Sequence, residues 1–229
     1  MRSNRYKELK GKLEPKKLYS AEEAVKLAKE TGKTKFNESV EAHFNLGIDP
    51  TKSDQLIRAT LLFPNSIGSN KKIAAFVSPD KEKEAKDAGA DIIGNEEYIA
   101  DLAKSGKIEF DIAVATPDMM PKLAKVAKTL GPVGLMPNPK TETVGPNVTK
   151  MIKEIKAGKV AFKNDATANI HQVFGKVDLD EAKLLENLHV LIEAVKKAKP
   201  SGSKGIYLKS LTVATTMGPG IPIDTSSLT

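Results

Sequence analysis

The chain has 229 residues, 40% of them hydrophobic and 28% charged, which suits one large or two compact domains with real cores and excludes general disorder. Lys and Arg number 36 against 29 acids, giving +7 and a pI near 9.3, a field that draws nucleic acid before anionic membrane, although a merely basic soluble protein fits the charge equally. With no cysteine and no apolar run longer than stretches such as Ile73–Val77, disulfides, thiolate zinc sites and a helical bilayer span are excluded; no secretory signal is visible after the basic start, and a reducing cytoplasm is the expected setting.

Residues 1–17 hold seven Lys or Arg and read as a loosely held basic arm with room for one helix, of the kind that gains order on a polyanion. Ser20-Ala21-Glu22-Glu23 has capping-box form and opens a helix with Ala24, Val25 and Ala28 on its apolar face, ended near Gly32. Val40, Ala42, Phe44, Leu46 and Ile48 then alternate with Glu41, His43, Asn45, Gly47 and Asp49. That period of two predicts a strand with one packed and one wet face. Asp49-Pro50-Thr51 turns the chain, and Gln55–Phe63 reads as the returning strand.

From Ile67 the style changes. Ile73–Val77 reads as a strand buried on both faces, and helices over 81–88, 96–104 and 122–130 alternate with strands over 91–93 and 111–115. This block ends in Met136-Pro137-Asn138-Pro139-Lys140. A helix near 147–157 leads back to the alternating style. Val160–Asn164 and Asn169–Val177 read as a hairpin, Asp180–Lys199 as a long helix striped by Leu184, Leu188, Leu191 and Val195, and Ile206–Thr215 as a last strand.

The ends share one style and the middle another. The predicted architecture is a discontinuous α+β first domain, residues 1–66 and 158–229, with a split βαβ-like antiparallel sheet covered by helices on one face. Into it is inserted a three-layer, Rossmann-like α/β domain over 67–157, and the two chain crossings would make a hinge.

Catalytic chemistry finds little support. A dinucleotide fold needs G-x-G-x-x-G after its first strand, and here that turn is Ser78-Pro79-Asp80-Lys81. Gly68-Ser69-Asn70-Lys71 precedes the strand instead of following it, the wrong order for a phosphate loop. His43, His171 and His189 lack metal-ligand spacing, and His189 reads as a core-edge residue. There is no G-x-S-x-G elbow, Glu22-Glu23 and Glu96-Glu97 are explained by helix starts, and Thr225–Thr229 reads as a solvated tail. No enzyme activity, metal or cofactor is expected.

Two segments have unusual residue choices. Thr215-Thr216-Met217-Gly218-Pro219-Gly220 combines hydroxyls, a thioether and glycines, suited to close backbone approach by a flat or charged ligand, or else is a plain terminal turn. In Lys35-Phe36-Asn37-Glu38 the Phe is either a core plug or an exposed stacking platform beside a cation.

The sequence resembles the bacterial family of large-subunit ribosomal protein L-one, the protein of the mobile stalk. The resemblance runs from about residue 5 to 223 and rests on Lys35-Phe36-Asn37-Glu38-Ser39-Val40-Glu41 with Leu46-Gly47-Ile48-Asp49-Pro50, on Gly131-Pro132-Val133-Gly134-Leu135-Met136-Pro137-Asn138-Pro139-Lys140, and on Thr215-Thr216-Met217-Gly218-Pro219. It implies a monomer within the cytoplasmic ribosome whose first domain grips the stalk of the large-subunit rRNA. It also implies help in releasing deacylated tRNA from the exit site and repression of the protein's own mRNA. Carried over by position, the RNA-binding residues would be Lys35, Phe36, Ser39, Glu41, His171, Ser210, Thr216, Met217 and Gly218, a set suited to shape recognition. Three departures stand out. Asn37 replaces the family's usual Asp. Ala166 and Ala168 stand where Lys and Gly are commoner, so a cationic contact is missing there. Residues 64–71 replace a tighter Pro-His-Gly turn.

Overall fold

The computed structural model describes residues 3–68 and 71–226. The chain divides into two compact units, residues 1–68 with 160–229, and residues 69–159.

In the first unit, helix α1 (Asn4–Gly11) starts at Ser3, whose hydroxyl accepts the Tyr6 N–H, and α2 (Ala21–Thr31) starts at Ser20. The capping box read from the sequence is complete there: the Glu23 N–H donates to Ser20 Oγ at 3.2 Å and the Ser20 N–H to the Glu23 carboxylate at 3.3 Å. Strand β1 (Ser39–Leu46) buries every second residue, and β2 (Arg58–Leu62) follows after the Asp49 turn.

The second unit runs β3 (Ile73–Phe76), α3 (Glu82–Asp87), β4 (Ile92–Ile93), α4 (Glu96–Ser105), β5 (Ile112–Ala115), α5 (Met120–Leu123), α6 (Ala127–Val133) and α7 (Val148–Lys156). Its three strands form a parallel sheet in the order β4-β3-β5, and β3 is buried at all four positions, as a strand covered on both faces must be. Ala74, Phe76, Ala113 and Ala115 pack on one side with Leu102, Leu123 and Leu130; Ile73, Ala75 and Val114 pack on the other with Ala85 and Ile152. The helix expected over 122–130 is broken into α5 and α6 by a tight 3-10 turn, and α6 continues to Val133 through Pro132.

The first unit resumes with β6 (Lys159–Lys163), β7 (Asn169–Lys176), α8 (Glu181–Lys197), β8 (Leu208–Thr215) and β9 (Ile221–Ile223). Its main sheet is antiparallel in the order β7-β1-β8-β9. Apolar residues of α2 (Ala24, Val25, Ala28) and α8 (Leu184, Leu188, Leu191, Val195) join Val40, Ala42, Phe44, Ile170, Phe174 and Val213 in one core. Each such Leu or Phe contributes ~1.5–3 kcal/mol on burial. One polar residue is built into this core. Asn187, fully buried, donates to the carbonyls of Phe174 (2.8 Å) and Asn65 (3.1 Å) and accepts the Asn65 N–H (3.1 Å), so its amide fixes where the chain leaves β2.

Three sequence expectations need correction. The Gln55–Phe63 segment does not return along β1; β2 pairs with β6 in a separate two-stranded sheet. Val160–Asn164 and Asn169–Val177 are not a hairpin: β7 pairs with β1, and a single bridge, Asn164 with Ile170, joins the two segments. Alternation marks which face of a strand is packed but not which strand lies beside it, so sequence-distant partners displaced the neighbours. His189 is exposed on α8 and not at the core edge. Strand β9 was not read at all, being three residues around a proline, which its position beyond β8 tolerates. The expected tail at Thr225–Thr229 lies outside the described residues from Ser227 on, as do Met1, Arg2 and part of the 64–71 turn.

Candidate nucleic-acid interface

With α2 and α8 against one face of the four-stranded sheet, the other face carries the opposite parity of β1: Ser39, Glu41, His43 and Asn45. Register fills in the rest. Glu41 stands opposite Ala214 of β8, His43 between His171 of β7 and Thr212 of β8, and Asn45 between Asn169 and Ser210. The result is a polar strip along the middle of the sheet, running about 20 Å from the Ser210 row to the loop after β8.

That loop closes the strip at the start of β1. The Ser39 N–H donates to Thr216 Oγ1, and the Thr216 N–H donates back to the Ser39 carbonyl, both at 3.1 Å. The Met217 peptide is held from both sides: its N–H donates to Glu38 Oε2 and its carbonyl accepts from Arg5 Nη2 on α1, each at 2.9 Å. Glu38 is 1% exposed, and Glu38 Oε1 and Arg5 Nη1 are buried without hydrogen-bond partners. With its backbone pinned, Met217 leaves its side chain 50% exposed. Gly218 is required by space. A Cβ there would collide with Thr215 Oγ1, while the Gly218 N–H donates to the Thr215 carbonyl.

Phe36 is 54% exposed, which settles the alternative left by the sequence: it is no core plug. Lys35 beside it is exposed as well. The segment leads straight into Glu38 and Ser39, which hold the Thr216–Met217 backbone, and a cation beside a ring is a pairing that can meet phosphate and stack on a base.

The far end of the strip is a hydrogen-bonded network. Asn45 Nδ2 donates to Asn169 Oδ1 (2.8 Å), Asn169 Nδ2 to Thr167 Oγ1 (2.8 Å), and the Thr167 hydroxyl to Asp165 Oδ2 (2.7 Å). Backbone N–H groups of Thr167 and Asn169 donate to Asp165 Oδ1. The Thr167 hydroxyl first, then these amides and His171, hold the Asp165 carboxyl down to about 2. The chain enters β7 through Ala168 at φ 63, left-handed backbone that favours glycine, at the position where the resemblance leads one to expect glycine.

Similarity to known proteins now bears on this face. The family model of the ribosomal protein L1p/L10e family matches residues 27–219, most of the chain. The chain belongs to this family. It is 48% identical to the large ribosomal subunit protein uL1 of Mycolicibacterium vanbaalenii over 224 residues, covering 98% of this chain and 95% of the relative. The uL1 protein of Macrococcus caseolyticus is also 48% identical, over 99% of this chain and 98% of its own. That of Corynebacterium aurimucosum is 47% identical over 98% and 96%. The resemblance read from the three motifs is thus borne out, and the chain is a ribosomal protein and not an enzyme.

Of the residues carried over from the resemblance, the fold brings Ser39, Glu41, His171 and Ser210 onto the open face. It sets Thr216, Met217 and Gly218 at one end, with Lys35 and Phe36 on the segment entering β1. Sequence reasoning missed Arg5, Glu38, His43 and Asn45. For Glu38 a signal existed: it falls on the inward parity of Val40, Ala42 and Phe44, an odd place for a carboxylate unless something there needs an acceptor. Nothing local announced Arg5, whose target lies 212 residues away.

Proposed function

We propose that the chain is a structural constituent of the large ribosomal subunit that binds the stalk of the large-subunit rRNA through the open face of β7-β1-β8 and the Thr216–Gly218 loop. The observation that carries this reading is the loop itself. Membership in a ribosomal family would fit many surfaces, but here an exposed thioether stands on backbone pinned by Glu38 and Arg5, and an exposed ring and a lysine precede Glu38 on the same segment. Such a rigid, mixed surface suits RNA shape, where unstacked bases lie on apolar side chains and hydroxyls meet ribose or phosphate. The net charge of +7 supplies the sequence-independent attraction.

From the stalk the protein assists departure of deacylated tRNA from the exit site, and it represses translation of its own mRNA where that transcript copies the stalk's shape. It acts as a monomer in the cytoplasmic ribosome, without cofactor. Thr216→Ala and Met217→Ala should each weaken binding to an isolated stalk fragment by ~1–3 kcal/mol, the scale of one specific nucleic-acid contact. Variants that bind unchanged would remove the loop from the interface. Co-sedimentation with large subunits separates the ribosomal role from one confined to messenger RNA, which would leave the protein in the supernatant.

A further inference from the structure

The two histidines at the centre of the open face touch. Cross-strand neighbours His43 and His171 have their Nδ1 atoms 2.9 Å apart and their rings edge to face with centroids 5.0 Å apart. A contact that short between ring nitrogens requires one hydrogen between them, so one ring carries it at Nδ1 and the other accepts. The neighbours decide which. The charged groups facing the pair are Glu41 from β1, whose carboxylate is 4.0 Å from His43 Nε2, and Asp165 from the turn before β7, 3.7 Å from His171 Nε2. From β8 comes the uncharged Thr212, opposite His43.

Asp165 lies the closer of the two acids to a ring nitrogen, 3.7 Å against 4.0 Å, and so favours an N–H at His171 Nε2. His171 Nδ1 is then the acceptor, His43 Nδ1 the donor, and His43 Nε2 is left with a bare lone pair. Resting on the RNA-binding reading above, we propose that His43 and His171 form one RNA-reading unit with fixed, unlike edges: a donor at His171 Nε2 and an acceptor at His43 Nε2, suited to a ribose hydroxyl, which is donor and acceptor at once. A proton taken up by the pair converts the His43 edge into a second donor, beside Glu41, and makes it suited to phosphate instead. A second proton would set two N–H groups against each other across 2.9 Å, so the paired geometry accepts only one. Burial first, and then the neighbouring imidazole, hold His43 below its ordinary range against the pull of Glu41, which keeps the acceptor edge in place near neutral pH.

His43 is therefore a positioning residue for His171 as well as a contact of its own. Two measurements test it. The first needs no RNA: imidazole nitrogen NMR of the full chain, which has three histidines. The expected spectrum at neutral pH has one of the two rings protonated at Nδ1 and the other at Nε2, with the pair taking up a single proton on acidification. In His43→Gln the ring-nitrogen resonances of His171 should move. Two Nε2–H rings that titrate independently, with His171 indifferent to His43→Gln, would overturn the pairing.

The second measurement compares binding to the stalk fragment at pH 7.5 for His43→Leu and His43→Gln. Leu fills the space but offers no hydrogen bond, and should weaken binding roughly threefold to tenfold, as one lost hydrogen bond does. Gln can donate to His171 and accept from RNA, and should restore it to within about twofold. Leu binding like wild type, or Gln no better than Leu, overturns the role in RNA reading. A wild-type chain that binds stalk and scrambled RNA equally would instead overturn the RNA-binding reading, and this inference with it, whatever the NMR spectrum.

Discussion

The Met217 N–H donates to Glu38 Oε2 at 2.9 Å across 179 residues of sequence, and Glu38 is 1% exposed. The most exposed apolar residue of the terminal loop is thus anchored by one of the least exposed acids in the protein. Replacing Glu38 with Ala removes the acceptor of the part-buried Met217 N–H, which costs about 1 kcal/mol. Thermal unfolding of Glu38→Ala should show that loss, and stalk binding should fall with it. Met217→Ala should lose binding with little change in stability, because its side chain packs against little. Equal melting temperatures for Glu38→Ala and wild type would show that the anchor is not needed.

Arg5 grips the same peptide from the other side, donating to the Met217 carbonyl. Arg5→Ala should leave the circular dichroism of the chain unchanged, since the buried residue of α1 is Leu9 and not Arg5. It should weaken stalk binding by ~1–2 kcal/mol, the value of one charge-assisted hydrogen bond. Arg5→Lys should recover only part, because a single ammonium replaces a planar fork.

Gly218 is set by collision with the Thr215 hydroxyl, not by backbone handedness. Gly218→Ala should cost about 1–3 kcal/mol of stability, the range for forcing a methyl into packed space. In a Thr215→Ala background the same change should cost less, and a double-mutant cycle by denaturant unfolding reads the difference directly. Strict additivity would show that the two residues do not meet.

How much of this was legible beforehand varies by kind of information. Much of what is local was readable: the Ser20 capping box, the alternation of Val40 to Leu46, the continuous apolar run at Ile73 and the stripe on α8 all stand where their spacing put them, whereas the 3-10 break at Ala124–Val126 and the short strand β9 left no such pattern. Pairing was not local. Strand β1 lies between β7 and β8, more than a hundred residues downstream, and no pattern within Gln55–Phe63 told that it would leave for β6. The same division holds at the site. Phe36, Met217 and Gly218 could be singled out by residue type, whereas the Glu38–Met217 and His43–His171 contacts exist only once the sheet has assembled.

Asp165 gives the fold a handle on acid stability. Its carboxyl is held down to about 2 in the folded chain, below its ordinary value. Such a group stabilises the fold at every pH above the unfolded value, and that contribution is lost as pH falls through the unfolded value toward about 2. Melting temperatures of wild type and Asp165→Asn should therefore differ near neutral pH and converge between about pH 4 and pH 2. A gap that stays constant to pH 2 would show that the hydrogen bonds from Thr167 and Asn169 do not depend on the charge.

The most direct measurement is binding of the purified chain to the isolated rRNA stalk fragment and to a scrambled hairpin of equal length, each at low and high salt. A shaped site on the open face requires preference for the stalk that persists at high salt, and loss of that preference in Met217→Ala. Weak binding to both RNAs that collapses together as salt rises would mean that the RNA responds only to the net charge of +7, and would contradict the site.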